Sequence, residues 1–263
     1  MKRKLGIIAE AIAGEDSVQT LDRIAAVGFE STFTGRCDLV SVEKLAKKAQ
    51  KLGLDMEFIH APFAGINAMW YPGNEYETIY AGMIEAIDSA AATGINAVVA
   101  HISSGWNAPE ICDVGLKRYD DLVEYAAKKN VIVAFENLRK VGNVSYFADR
   151  YEKTENVKFC YDCGHEHCYT ETVCFPDIFR SRMIFTHIHD NFGRDKANPM
   201  GDHDMHLLPF DGNVDYAKMM RKLDEHDYKG SLMLEVFSGC YPDMKPDEFI
   251  STAFERIKKI SAM

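Results

Sequence analysis

The stretch VIVAFENLRKVGNVSYFADRYEKTENVKFCYDCGH, residues 131–165, sets out the plan of the whole chain. VIVAFEN, from Val131, is a short run of β-branched and aromatic residues and reads as a strand. Asn143–Thr154 carries a helical pattern, and VKFCYDCG, from Val157, is strand-like again. Each strand ends in polar residues: Glu136 and Asn137 after the first, Asp162 and then His165 after the second. A strand, a helix and a second strand make the repeating unit of a parallel sheet covered by helices.

Working outward, the unit recurs. Toward the N-terminus lie LGIIAEA (from Leu5), FESTFTG (from Phe29), DMEFIHA (from Asp55) and AVVAHI (from Ala97); toward the C-terminus lie MIFTHIHD (from Met183) and SLMLEVF (from Ser231). Helices are expected over Ser17–Val27 and Ser41–Leu52, each opening on a good N-cap residue, and over Glu75–Thr93, Asp113–Lys129 and Asn213–His226. Pro246–Ser261 begins with proline at a first helical position, followed by Asp247 and Glu248, which suit the N-terminal dipole. Glu171–Arg180 is expected to be shortened or kinked by Pro176.

Eight such alternations within 263 residues predict an α/β fold, a (β/α)8 TIM barrel, as a single domain over residues 1–263. A doubly wound sheet usually has fewer strands, and AEAIAGED after the first strand lacks the Gly-rich turn a dinucleotide site needs. The longest connection, Asn191–Gly212, follows the seventh strand and is long enough to be functional.

Composition narrows the function classes. Hydrophobic residues make up 47%, enough to build a core and exclude disorder as the main state, and no apolar run approaches a membrane span. The basic start of the chain is followed by an apolar run that Glu10 interrupts, which reads as a first strand rather than a signal peptide. Asp and Glu total 40 against 30 Lys and Arg, a net charge of −10 that lacks the footprint of a nucleic-acid binder. Seven cysteines, an odd number, suggest reduced thiols in a cytoplasm, and Cys160 and Cys163 within a strand read as small buried hydrophobes. The expected partner is a small molecule, with no membrane; self-association into a homo-oligomer stays open.

A barrel builds its active site at the C-terminal ends of its strands. Those ends carry His60, His101, Glu136, Asp162 with His165, His187 with His189 and Asp190, and Glu235, while the long loop adds Asp202, His203, Asp204 and His206. One such residue alone is a hydrogen-bonded structural group. Converging carboxylates and imidazoles, with only Arg139 and Arg194 near in sequence, call for a countercharge that a divalent metal supplies most simply. Oxygen-rich ligation with one or two imidazoles suits Mn2+, Mg2+, Co2+ or Zn2+, and more histidines favour zinc.

The order H-A-P-F, E-N, D-x-x-H, H-x-x-D-N, D-x-H and L-E, from His60 to Glu235, resembles the xylose isomerase-like barrel superfamily. That group contains sugar isomerases and epimerases, inosose-processing enzymes and endonuclease IV. In its epimerase-like members, the resemblance implies one metal held by Glu136, Asp162, His187 and Glu235. His189 lies two residues on and faces the same way; the H-x-x-D-N frame favours His187 as ligand, leaving His189 to the pocket. The resemblance further implies that Glu136 and Glu235 are the catalytic bases, acting on opposite faces of a carbon in a small ketose or keto-polyol, and that His165 orients the substrate. The arginine expected six residues after the ligand histidine is replaced by Gly193, with Arg194 adjacent as the candidate substrate-binding arginine.

Endonuclease IV, with its trinuclear zinc cluster, is similar in another way, since its additional ligand motifs match His60, His101, His165, Asp204 and His206. Phosphodiester cleavage at abasic DNA is therefore an alternative to sugar isomerisation, as is a lyase or dehydratase acting on a polyol or glycoside. Trp70 and Trp106, in loops after the third and fourth strands, either pack those loops or wall the pocket against a sugar's C–H face.

Overall fold

The computed structural model describes residues 3–263, so Met1 and Lys2, which begin the basic N-terminal run, lie outside the described residues. Its strands are β1 (Leu5–Ile8), β2 (Ser31–Thr34), β3 (Asp55–His60), β4 (Ala97–Ala100), β5 (Ile132–Glu136), β6 (Val157–Asp162), β7 (Met183–His187) and β8 (Leu232–Leu234). Its helices are α1 (Ser17–Val27), α2 (Leu39–Leu52), α3 (Glu77–Thr93), α4 (Asp113–Lys128), α5 (Val141–Arg150), α6 (Cys163–His165), α7 (Phe175–Phe179), α8 (Tyr216–Glu225) and α9 (Pro246–Ser261). Strands β1 to β7 pair in parallel in sequence order, and β1 pairs with β8. The ring closes between β7 and β8, where Ile188 N–H donates to Met233 O at 2.8 Å and Glu235 N–H donates to Ile188 O at 3.1 Å. This is the expected (β/α)8 barrel.

Helix boundaries follow the strongest local caps. Asp16, not Ser17, caps α1, its carboxylate accepting from Val18 N–H at 2.9 Å. Asp38 likewise accepts from Ser41 N–H at 2.9 Å, so α2 starts at Leu39, ahead of the expected Ser41. The helix expected over Glu171–Arg180 is shortened, as expected, to α7 (Phe175–Phe179), and Pro176 sits in its first turn, where its missing N–H costs nothing. The chain after β6 also turns at once into α6 and a π-turn over Glu166–Thr170, which the sequence pattern did not suggest.

The barrel interior is plugged by aromatic rings. Phe58 of β3 lies 4.5 Å, centroid to centroid, from both Phe33 of β2 and Phe185 of β7. His187 continues the stack 5.0 Å from Phe33, so the last residue of β7 rests on an apolar floor. Parallel register brings Glu136 beside Cys160 and Asp162 beside His187. The ends of β5, β6 and β7 therefore reach one level, and β8 delivers Glu235 just beyond its own end. Cys160 and Cys163 are both buried, and burial pushes the Cys160 thiol up to about 12, which keeps it protonated.

Candidate active site

At the C-terminal mouth, one donor atom from each of Glu136, Asp162, His187 and Glu235 lies within 4.8 Å of the others. His187 Nδ1 approaches Glu136 Oε2 at 3.3 Å and Glu235 Oε2 at 3.4 Å. Two more groups adjoin this one: His60, His101 and Glu136, and then His165, His189, Asp204 and His206. Glu136, Asp162, His187 and His189 are fully buried.

The histidine tautomers are set by backbone carbonyls, which can only accept. The Nδ1–H of His60 donates to Ala61 O at 2.8 Å, that of His165 to Asn137 O at 3.0 Å, and that of His206 to Glu235 O at 2.8 Å. Each ring then turns Nε2 toward a carboxylate: His60 to Glu136 at 3.2 Å, His165 to Asp204 at 3.0 Å, His206 to Asp204 at 3.3 Å. In a neutral imidazole that Nε2 is a lone pair, and a lone pair facing a carboxylate needs a cation between them, either a proton or a metal ion. Anchoring the far nitrogen on a carbonyl is how proteins orient metal-binding histidines. Both ring nitrogens of His187, Nδ1 of His101 and of His189, Glu136 Oε1 and Asp204 Oδ1 are buried without an aligned hydrogen bond. These residues fit divalent cations.

Electrostatics agree. Burial alone would lower the pKa of His165, but Asp162 and Asp204 hold it well above the usual imidazole range. Burial is likewise overridden at His187, raised by the carboxylates of Glu235 and Glu136, and at His206, raised to about 10 chiefly by Asp204. Burial acts against ionisation of Glu136, yet His187 and His101 hold it well below the usual carboxylate range. Without another cation, the carboxylates draw protons onto the histidines.

The family model described as the xylose isomerase-like TIM barrel matches residues 21–260. The chain belongs to this family. Among curated proteins, y4fM of Sinorhizobium fredii is 31% identical over 163 residues, a match covering 57% of this chain and half of that protein's length. Among solved structures, a xylose isomerase domain protein from Planctomyces limnophilus superposes with a TM-score of 0.78 at 15% identity, covering 98% of this chain and 96% of the other. A D-allulose 3-epimerase from Methylomonas sp., solved with D-allulose, gives 0.75 at 17% identity, covering 98% of each chain. At these identities the structural likeness is one of fold.

In this xylose isomerase-like barrel the donor groups open onto a cleft of about 230 Å³ lined by His60, His101, Glu136, His165, Asp204, His206 and Glu235, all anticipated from sequence. His187 and His189 part company: His187 joins Glu136 and Glu235, whereas His189 Nε2 lies 3.1 Å from Asp162 and its ring stacks 4.0 Å from His206. Gly164 makes room for that ring, because a Cβ there would stand 2.0 Å from His189 Cε1.

For both tryptophans the structure takes the packing alternative, and Arg194, the candidate substrate-binding arginine, lies outside the cleft. Trp70 is buried rather than facing the cleft: its Nε1–H donates to Ile102 O at 2.7 Å, and its ring fills the slot left by Gly115. Trp106 does not line the cleft; it pins the long loop, donating from Nε1 to Gly201 O at 3.1 Å. Arg194 also stays outside, lying 4.3 Å over Trp106 and donating to Pro199 O. Sequence reasoning passed over Phe63, which stacks 4.5 Å from His101 at the rim, and Tyr169, which stacks 5.3 Å from His165. Phe63 is the last letter of the H-A-P-F motif and was legible there; Tyr169 sits in the unanticipated π-turn. A neighbouring lobe of about 440 Å³ shares His60, Phe63 and Glu235 and adds Ile8, Glu10, Arg36 and Phe237. Among the described residues no helix is long and apolar enough to cross a membrane.

Proposed function

We infer that this protein is a divalent-metal-dependent sugar isomerase or epimerase acting on a small ketose or keto-polyol. The observation that carries this reading is the placement of Glu136 and Glu235. They come from β5 and the end of β8, well separated around the ring, yet each brings a carboxylate oxygen to within 3.4 Å of the same His187 nitrogen at the cleft floor. With each carboxylate ligating an ion through one oxygen, the other oxygen of each would act on the bound substrate carbon, one from either face. Glu136, Asp162, His187 and Glu235 would hold the metal, and Mn2+ or Zn2+ suits that set best, with Co2+ or Mg2+ compatible. Such an ion, when bound, polarises a carbonyl and its neighbouring hydroxyl and so acidifies the adjacent C–H. One glutamate removes that proton and the other returns one from the opposite face, inverting the centre. Delivery to the neighbouring carbon of the enediolate gives isomerisation instead. His165 would orient a substrate hydroxyl, a role supported by its hold on Asn137 O and Asp204.

The adjoining His60–His101–Glu136 and His165–His189–Asp204–His206 groups favour a second reading, a polynuclear zinc phosphodiesterase. The acidic chain and the single arginine lining the cleft among the described residues argue against a DNA substrate.

Incubation with a ketose panel in D2O tests the first reading. Deuterium should enter the carbon next to the carbonyl, and Glu235→Gln should retain the fold but lose roughly 10²-fold or more of the exchange. Nicking of abasic duplex DNA, with no deuterium entering any sugar, would establish the second reading instead.

A further inference from the structure

Arg139 is the one lysine or arginine among the described residues that lines the catalytic cleft. It lies three residues beyond Glu136, so the same strand end delivers a proposed base and a cation. Its guanidinium sits 3.7 Å over the Tyr169 ring and 5.6 Å from the Trp106 ring, and these aromatic faces hold the planar fork in one orientation. Nη2 donates to Tyr169 Oη and, at 3.1 Å, to Asp202 Oδ1. Nε is buried with no hydrogen-bond partner, a costly state for a guanidinium N–H. The carboxylate it does meet is a weak partner: the Asp202 side chain is 79% exposed, so water screens the pair. Of the other cations near this rim, Lys140 is held by Ala108 O and Glu110 and Arg194 by Pro199 O, while Arg36 lies in the neighbouring lobe, 3.9 Å from Glu10.

We propose that Arg139 is a specificity-determining residue that binds an anionic group on the substrate, a carboxylate or a phosphate, with Asp202 giving up its place. The substrate class becomes an acidic sugar, either a sugar acid or a phosphorylated sugar. This rests on the sugar reading above for the sugar, and on Arg139 alone for the anion. Arg139 also lies on β5's own loop, so its position does not depend on the long loop that carries Asp202.

The test is calorimetric titration of Mn2+-loaded protein with D-fructose, D-fructuronate, D-fructose 6-phosphate and inorganic phosphate. At least one acidic sugar should bind tenfold or more tightly than fructose, and the two acidic arms identify which anion is preferred. Arg139→Gln should abolish that advantage, a loss of about 10- to 100-fold as for charged hydrogen bonds, while changing fructose affinity by less than about twofold. Arg139→Lys should recover only part, because a point charge cannot replace the fork. Asp202→Asn should keep or strengthen acidic-sugar binding. Metal content and melting temperature of each variant verify folding. If wild-type protein shows no preference for the acidic sugars, or Arg139→Gln weakens fructose equally, Arg139 is only a latch for the loop and the proposal fails. Arg139-dependent binding of inorganic phosphate with no sugar bound would uphold the anion site and overturn the sugar reading. Absence of any Arg139-dependent binding overturns the anion site whatever the D2O exchange shows.

Discussion

Gly164→Ala adds a single methyl group at a point where the packing leaves no room for one. Gly164 lies in α6 between Asp162 and His165. A Cβ at this position would stand 2.0 Å from His189 Cε1, 2.4 Å from Nδ1 and 2.5 Å from Nε2. Carbon atoms pack at roughly 3.5–4.0 Å, so the ring must retreat by about 1.5 Å. It has little room to do so. His189 is fully buried, stacked 4.0 Å from His206 and 3.1 Å from Asp162. Forcing an extra methyl into such a site costs about 1–3 kcal/mol. With a melting shift of roughly 2–4 °C per kcal/mol in a chain near this size, the expected drop is about 2–12 °C. Displacing His189 also removes the ring that lies 3.1 Å from Asp162, a proposed metal ligand, so the melting-temperature gain on adding Mn2+ or Zn2+ should shrink. Gly142→Ala is the control. It lies exposed in α5, where a Cβ would meet nothing within 4 Å, and alanine there should stabilise by about 0.5–1 kcal/mol. Thermal melts of both variants, stripped and metal-loaded, make the comparison. If Gly164→Ala melts at or above wild type and keeps the full metal-induced shift, the packing argument for the third donor group is wrong.

Chelation should abolish turnover and Mn2+, Co2+ or Zn2+ restore it, and Asp162→Asn should weaken metal binding at least tenfold in a competition titration, because an amide is a poorer ligand than a carboxylate; full activity of metal-stripped enzyme refutes the mechanism. Metal binding at neutral pH should release a proton, because the pKa of His187, the proposed histidine ligand, is raised like those of His165 and His206, so its ring is protonated until a metal displaces the proton; titrations in buffers of different ionisation enthalpy measure it, and zero release contradicts the site. The same shifts set the sign for metal-free stability. His206, raised to about 10, contributes stability that is complete below its unfolded value near 6.5 and is lost as pH rises through about 10, so alkaline melts of stripped protein should fall in that window. Trp70→Phe should cost roughly 1–3 kcal/mol of stability through the lost bond to Ile102 O and the space left behind, with substrate KM unchanged; a raised KM at wild-type stability would return Trp70 to the pocket.

What the sequence determined by itself was whatever depends on short-range periodicity and residue type. Alternating apolar runs and helical spacing specify eight strand–helix units, and the parallel barrel then puts every strand end on one face. His60, His101, Glu136, Asp162, His187 and Glu235 could therefore be named as converging groups before any contact was known. The caps at Asp16 and Asp38 were local too, and were misassigned only because serines nearby offered a second candidate.

Tertiary structure decided whatever depends on groups far apart in the chain. His187 and His189 share a face by strand periodicity, and they separate because β7 ends at His187 while Gly164, from another strand end, opens a slot for His189. Trp70 is buried because Gly115, some forty residues later, lacks the Cβ that would exclude it. The setting of Arg139 is assembled from the β5 loop, the π-turn at Tyr169 and the long loop at Asp202. Residue type and spacing constrain neighbours within a few positions; these placements are set by the register of separate strands and by side-chain volumes meeting across the barrel mouth, and those exist only in the folded chain.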